Sequence, residues 1–462
     1  MQKSRVRRAG ALLVGLALVV SACGDDSEEG ASETTAAAVE TTAGSETTAG
    51  AVETTAGETT GGGELAGMKG TTPLPPELAQ DFKDRLLTVP SGEGLTDFNY
   101  AAETYDAVMI IALAVEAAKS DGIEHASLIV DVSTGGEKCS TFTDCKALLD
   151  AGTDIDYDGV SGPNDLNGNG EPLAGSYGVL QFGADNRIDD SLTEFVQAES
   201  PESAVVEESV VEGTRAGDGV LSIGGLLPQT GSLAFLGSPM FAGAELAIAD
   251  LNEAGGVLGA DVVYSAGDSG DTSTDLASQT SDRFLTEGVD AIVGPASSGV
   301  ALSVIDKIST AGVTFFSPAN TSPALSTYAD KGLYFRNAPP DTLQGAVIAD
   351  LVVADGAQTV AIMALDDAYG NGIADVIESS LTDAGITVTN KIIYDPTAAS
   401  FDTEVNEVAA ADPDAIILIT FDEGSRILKT MVELGIGPSA KAVYGCDGNM
   451  GNALGENFDA GK

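Results

Sequence analysis

From Val220 onward, short apolar runs alternate with longer stretches whose apolar residues recur every three or four positions. "VLSIGGLLP" (220–228) reads as a strand and "SPMFAGAELAIADLNEAGG" (238–256) as a helix closed by glycine. "DVVYSAGD" (261–268) is a second strand and "STDLASQTSDRFLTEG" (273–288) a second helix. "AIVGP", "SSGVALSVIDKISTAG" and "VTFFSP" carry the alternation to Pro318. Another series runs from "QGAVIADLVVADG" (344–356) through "TVAIMALDD", "YGNGIADVIESSLTDAG" and "AIILITF" to "AVYGCDG" (442–448). Continuous apolar strands separated by helices predict parallel sheets covered on both faces. The two series, joined through "GLYFRNAPPD" (332–341), predict an α/β protein: two Rossmann-like lobes with doubly wound parallel sheets and a hinge between them.

The pattern upstream is mixed. "LPPELAQDFKDRLL" (74–87) and "ETYDAVMIIALAVEAAKSDG" (103–122) read as helices, and "GSYGVLQFGADNRI" (175–188) as an exposed hairpin or edge strand. Residues 198–217 are acidic and poor in aromatics and read as a linker between 64–197 and 218–462. Residues 24–63 repeat "ETT", carry no base and no aromatic, and predict a disordered, self-repelling tether. Before them, Lys3, Arg5, Arg7 and Arg8 precede an apolar run, Ala9 to Val20, that is short for a membrane span. With the small residues that follow, residues 1–23 predict a secretory signal. The stretch "VSAC" resembles the bacterial lipobox, which implies cleavage before Cys23 and lipid on its thiol; the alternative is an ordinary signal with a chance cysteine.

Charge narrows the partners. The chain has 462 residues, 71 acids against 21 bases and a formal net charge of −50. Nucleic acid and anionic membrane surfaces would be repelled by such a chain. Solubility accounts for the charge, and a field that gathers cationic ligands is the sharper reading. Outside the cell, Cys139 and Cys145 in "GEKCSTFTDCKALL" read as a local disulfide, and Cys446 is left over. No metal site is expected: the one histidine is His125, and "DLNGNGEP" from Asp165 has Ser176 where a calcium loop needs glutamate. "AGDSGD" (266–271) holds a serine as some proteases do, but a triad needs a histidine base nearby. No Gly-rich nucleotide fingerprint follows a strand, so no cofactor is expected.

"GGLLPQTGSLAFLGSPMFAGAELAIADLNEAGGVLG", "VGPASSGVALSVIDKISTAGVTFFSPANTSPAL" and "DDAYGNG" resemble type I periplasmic binding proteins of the branched-chain amino acid receptor class. The resemblance covers nearly all of 218–462. Segment 64–197, through "YAAETYDAVMIIALAVEAA" and "YGVLQFGADN", resembles the C-terminal third of the same family. The order is therefore that of a circularly permuted chain in which 64–197 and 218–462 make one bilobed unit, with a misassembled frame or a fused fragment as alternatives.

The resemblance also implies a site. Ser297 and Ser298 open a helix, whose free N–H groups and partial positive charge suit a carboxylate; both serines would also serve as caps. Ser298 matches the family's carboxylate-binding serine. Ala319, Asn320 and Thr321 stand where the family uses a backbone carbonyl and a threonine hydroxyl, with Asn320 replacing a small apolar residue. Tyr369 and Phe421 would wall the cleft, and Leu236 and Tyr100 would line the side-chain end. Asp447 matches the acid that pairs with the ligand ammonium, or else it caps the following segment. The implied protein is not an enzyme. It is a monomeric, lipid-anchored receptor on the outer face of a bacterial membrane, binding a small amino acid or amide for an ABC permease. A sensing module, a serine hydrolase and a receptor whose cleft is lost are the alternatives.

Overall fold

The computed structural model describes residues 63–75, 78–200 and 209–459. The proposed signal, Cys23 and nearly all of the proposed tether lie outside these residues. The first segment supplies β1 (Lys69–Pro73), β2 (Glu137–Cys139), β3 (Ile155–Gly159), β4 (Gly162–Pro163), β5 (Ala174–Gln181) and β6 (Glu194–Glu199). The first series after Val220 gives β7 (Ser222–Leu227), β8 (Val263–Asp268), β9 (Ala291–Val293), β10 (Thr314–Ser317) and β11 (Tyr334–Arg336). The second gives β12 (Thr359–Leu365), β13 (Thr387–Tyr394), β14 (Ala415–Ile419) and β15 (Ala442–Gly445).

These strands make two large sheets and one small one. The first lobe has a parallel sheet in the order β11-β10-β9-β7-β8. The second has the order β13-β12-β14-β15-β1-β5-β6. It is parallel as far as β1, but β5 and β6 run antiparallel, so the expectation of wholly parallel sheets fails at this end. The stretch 175–188, expected as an exposed hairpin or edge strand, holds β5, which is neither: its residues 177–180 are buried and it pairs on both sides, with β6, beyond that stretch, as the edge. Strands β2, β3 and β4 form the small sheet.

Each lobe is built from both segments. Strand β1 pairs in register with β15, Lys69 beside Tyr444 and Gly70 beside Gly445, across more than 370 positions of sequence. The helix Ala101–Ala118 goes to the other lobe and packs on the helix Gly237–Glu253 and on β9 and β10. It is buried on nearly every side, so it has no polar face to turn to water. Four connections cross between the lobes: after β1, between β4 and β5, between β6 and β7, and between β11 and the helix Asp341–Ala354.

The seam between segments is tight. A Cβ on Gly70 would stand 2.6 Å from the Gly445 carbonyl oxygen and 2.5 Å from the Met450 side chain. Gly70→Ala should therefore cost about 1–3 kcal/mol by overpacking, read as a lower urea midpoint with unchanged slope.

The expected linker is only partly free. Residues 198 and 199 belong to β6, and 209–217 lie against the first lobe. Arg215 donates to the Gly288 carbonyl at 2.7 Å and to Asp290 at 2.9 Å, and the Glu212 N–H reaches the Lys331 carbonyl at 2.9 Å. Cys139 and Cys145 are joined by a disulfide, and Cys446 is a buried free thiol.

Candidate functional site

Two loops at the C-terminal ends of β9 and β10 form the first wall. Ser297 is the N-cap of the helix Ser298–Thr310: its hydroxyl accepts from the Val300 N–H at 3.3 Å. Ser298 does something else. Its Oγ accepts from the N–H groups of Thr321 (3.3 Å) and Ser322 (3.2 Å), so it staples the next loop. Having accepted two bonds, it keeps its own hydroxyl proton to donate. Ser317 shapes the same loop, accepting from the N–H groups of Ala319 and Asn320 and donating to the Pro295 carbonyl.

Asn320 is placed differently from its expected role. Its Nδ2 donates to the carbonyls of Pro295 (3.1 Å) and Ala296 (2.8 Å), and its Oδ1 accepts from the Tyr334 hydroxyl (3.1 Å). Fully buried, it ties the two loops together. The polar residue that looked like a departure in ligand chemistry is structural.

The opposite wall comes from the second lobe. Asp367, after β12, caps the helix Ala368–Asp383 and so aims Tyr369 at the cleft. The Tyr369 ring stacks on Phe421 at 5.5 Å and 12°. After β15, Asn449 accepts from the Cys446 N–H and donates to the Leu418 carbonyl and the Thr420 hydroxyl, which fixes the turn that carries Asp447. The spacing that suggested Asp447 as a cap belongs to this turn. Asp447 is 6% exposed and accepts from two phenols, Tyr369 and Tyr100, each at 2.8 Å.

Tyr100 comes from the first segment and reaches across the cleft, so the lobes touch through it. Its backbone is left-handed, φ 61°, at the N-cap of the helix Ala101–Ala118, an unusual conformation for a bulky residue. Asp97 and Asn99 of the same loop reach the other lobe at Asn452 and Met450. The Ser322 hydroxyl adds a further bridge, donating to the Ala368 carbonyl at 2.7 Å.

These walls border one small cleft between the lobes, with about 280 Å³ of space between protein atoms, part of it open to solvent. One end holds Ser297, Ser298, Ala319 and Thr321 beside a helix N-terminus; Asp447 lies opposite; Tyr100, Leu236, Tyr369 and Phe421 complete the lining. Nine of the ten residues expected from sequence meet here, Asn320 being the exception. Leu233, Ala296 and Gly448 also line the cavity and were missed. Leu233 was legible in principle, three residues before Leu236 in a short helical turn. Gly448 had no signal of its own. Asp422, next to Phe421 in sequence, lies in an adjoining groove with Asp367 and Arg426.

Burial governs the electrostatics. It pushes the Asp447 carboxyl up from its ordinary value, against the hydrogen bonds of Tyr100 and Tyr369. Both phenols are raised well above their usual range, by burial first and by the charge on Asp447 next. Asp341, fully buried behind Thr321, is raised well above the ordinary carboxyl range by burial and then by Asp447. Its N–H donates to the Thr321 carbonyl at 2.8 Å. The cavity thus offers hydroxyl and N–H donors at one pole, costly negative charge at the other, and apolar walls between. A cation beside Asp447 would repay the desolvation of that carboxylate.

A family model described as periplasmic binding protein matches residues 220–461, and one described as receptor family ligand binding region matches 34–185. The Leu/Ile/Val-binding protein homolog 3 of Brucella melitensis is 30% identical over 198 residues, covering 42% of this chain and 53% of that protein. The chemotactic signal transduction system substrate-binding protein BasB of Halobacterium salinarum is 33% identical over 211 residues, 43% and 49% of the two chains. The chain spans about half the length of these curated relatives. Among solved structures, the branched-chain amino acid transporter substrate-binding protein LivJ of Streptococcus pneumoniae, in complex with isoleucine, aligns with a TM-score of 0.47 at 26% identity. That alignment covers 52% of this chain and 68% of the other.

Proposed function

Because this chain belongs to the periplasmic binding protein family, we propose that it is an extracytoplasmic receptor whose two lobes close on one small amino acid. One observation carries the reading: a cavity between the lobes has donors suited to a carboxylate at one pole, a buried acid held by two phenols at the other and apolar walls between them. Those are the needs of a zwitterion with an aliphatic side chain. In this reading Ser298 and Thr321 take the carboxylate, Asp447 takes the ammonium, and Tyr100, Leu233, Leu236 and Phe421 enclose the side chain. The name of the Brucella relative favours Leu, Ile or Val. Delivery to an ABC permease and anchoring through Cys23 complete the proposal. Ligand closes the lobes by as much as it prefers the closed form.

We also read the chain order as a circular permutation. The pairing of β1 with β15 supports this, since the second lobe's sheet continues from the last segment into the first. A fused fragment would leave one copy of that sheet without its neighbour. The BasB name favours a second reading, sensing without transport, at the same cavity. A serine hydrolase has less support: both ring nitrogens of His125 are engaged, at the Gly122 carbonyl and the Thr314 hydroxyl, inside the first lobe.

A thermal-shift panel of L-leucine, L-isoleucine, L-valine, L-alanine, acetamide and urea tests the proposal. At a hundred times its dissociation constant a true ligand adds about 2.7 kcal/mol of stability. Ser298→Ala should lose most of that gain. Ser297→Ala should keep it while lowering the ligand-free baseline by about 1 kcal/mol, the worth of a cap. No shift with any amino acid or amide would sink the reading.

A further inference from the structure

The turn Asp165–Pro172 has no part in the site described above, yet it lies in the crossing between β4 and β5, where the chain passes from one lobe to the other. Its own side chains fold it: the Asn167 Oδ1 accepts from the Asn169 N–H at 2.7 Å. Gly170 is left-handed, φ 73°, and a Cβ there would meet the Phe335 ring at 2.5 Å, so glycine lets the turn lie flat on β11. The Arg336 N–H donates to the Gly170 carbonyl at 2.9 Å. That docking sets Glu171 against the guanidinium of Arg336, a fully buried arginine.

The guanidinium is divided between two tasks. On one side, Nε donates to Glu171 Oε2 at 3.1 Å and Nη2 donates to the same oxygen. On the other, Nη1 donates to the carbonyls of Asn320 (3.3 Å) and Ser322 (2.9 Å), the two residues that flank Thr321. Ser326 closes the ring: its Oγ accepts from Nη2 at 2.8 Å and donates to Glu171 at 2.9 Å. The Asn169 Nδ2 donates to the Ser326 carbonyl at 3.1 Å. The loop that carries Ala319 and Thr321 into the cavity is thus held from behind by a group that never touches the cavity.

The geometry points to Arg336 and Glu171 as positioning residues of the ligand site. Arg336 fixes the carbonyls on both sides of Thr321, and Glu171 neutralises and aims Arg336 from a lobe-crossing turn. Loop geometry is thereby tied to the hinge. A lysine could not serve both faces, because only the planar fork spans them. The inference rests on the cavity being the amino acid site, and its test separates the two.

The test is Glu171→Gln in the full chain, which keeps shape and removes charge, read two ways well below the melting temperature. Amide exchange in ligand-free protein over 317–326 should quicken about tenfold, the scale of a bond to a charged group, while exchange over β12 stays unchanged. L-leucine binding by titration calorimetry should weaken about tenfold. Arg336→Lys should shift both readouts the same way. A pair that merely stabilises the fold would lower the melting temperature and leave loop exchange and leucine affinity alone, and that result overturns the inference. If wild-type protein does not bind leucine, the functional reading has failed, and loop exchange alone still decides the brace. Should Glu171→Gln not fold, Ser326→Ala, which cuts one bond to each partner, must give about a threefold change in the same direction.

Discussion

Asp447→Asn should weaken L-leucine binding about thirtyfold or more while ligand-free protein keeps its cooperative melting. Asp447 is the one acid lining the cavity, and it is buried with both oxygens already holding a phenol. Removing one partner of a desolvated charge pair costs about 2–5 kcal/mol, and about 1.4 kcal/mol is tenfold in affinity. The ligand-free protein feels the opposite. Its folded-state pKa lies above the ordinary 3.8, so the folded protein binds this proton more tightly than the unfolded chain does. The sign follows: between the ordinary value and the raised one, stability falls as pH rises, and above the raised value the full penalty is present. Asp341 acts in the same direction. Asparagine removes the Asp447 charge penalty but accepts from only one of the two phenols, so the two effects offset and the variant should stay within about 1–2 kcal/mol of the wild type at neutral pH. In the wild type, acid should loosen ligand binding, and as pH falls the difference in ligand-free stability between the variant and the wild type should move in favour of the wild type. Titration calorimetry and urea melts from pH 4 to pH 7 check both signs. Equal affinity in the variant would remove Asp447 from the site.

Residues 209–462 expressed without the first segment should show no cooperative melting and bind nothing. They would lose β1, which pairs with β15, and the helix Ala101–Ala118. That helix alone buries Val108, Met109, Ile110, Ile111, Leu113 and Val115. At about 1.5–3 kcal/mol each, these six side chains contribute about 10 kcal/mol or more. A domain's whole stability is about 5–15 kcal/mol. Mixing this fragment with residues 64–200 should restore part of the cooperative transition together with the response to leucine. Independent folding and binding by 209–462 would contradict the shared architecture.

The sequence was most legible where local chemistry and periodicity agree. The alternation after Val220 places most of the strands from β7 to β15 because they are short, largely apolar runs between helices, while β11 fell in the segment read as the join between the two series. Ser297, Ser298, Thr321 and Asp447 were singled out through the family resemblance, since local chemistry alone also reads them as caps and turns; their loops follow parallel strands, which deliver them to one side of a sheet. What escaped depends on distant partners. Asn320 looked like a ligand contact until the carbonyls of Pro295 and Ala296 took its amide. Strand β5 looked like an edge because its second neighbour, β1, lies a hundred residues away. Glu171 looked like part of a polar turn, and nothing local announces Arg336. The docked linker was missed for the same reason, since the partners of Arg215 are Gly288 and Asp290.

The most direct test is a crystal structure of the full chain grown with L-leucine. The account predicts one ligand between the lobes, its carboxylate within hydrogen-bond reach of the Ser298 and Thr321 hydroxyls and its ammonium on Asp447. Tyr100 from the first segment would lie against it. A ligand bound elsewhere, or held only by residues after 218 with Tyr100 turned away, would contradict it.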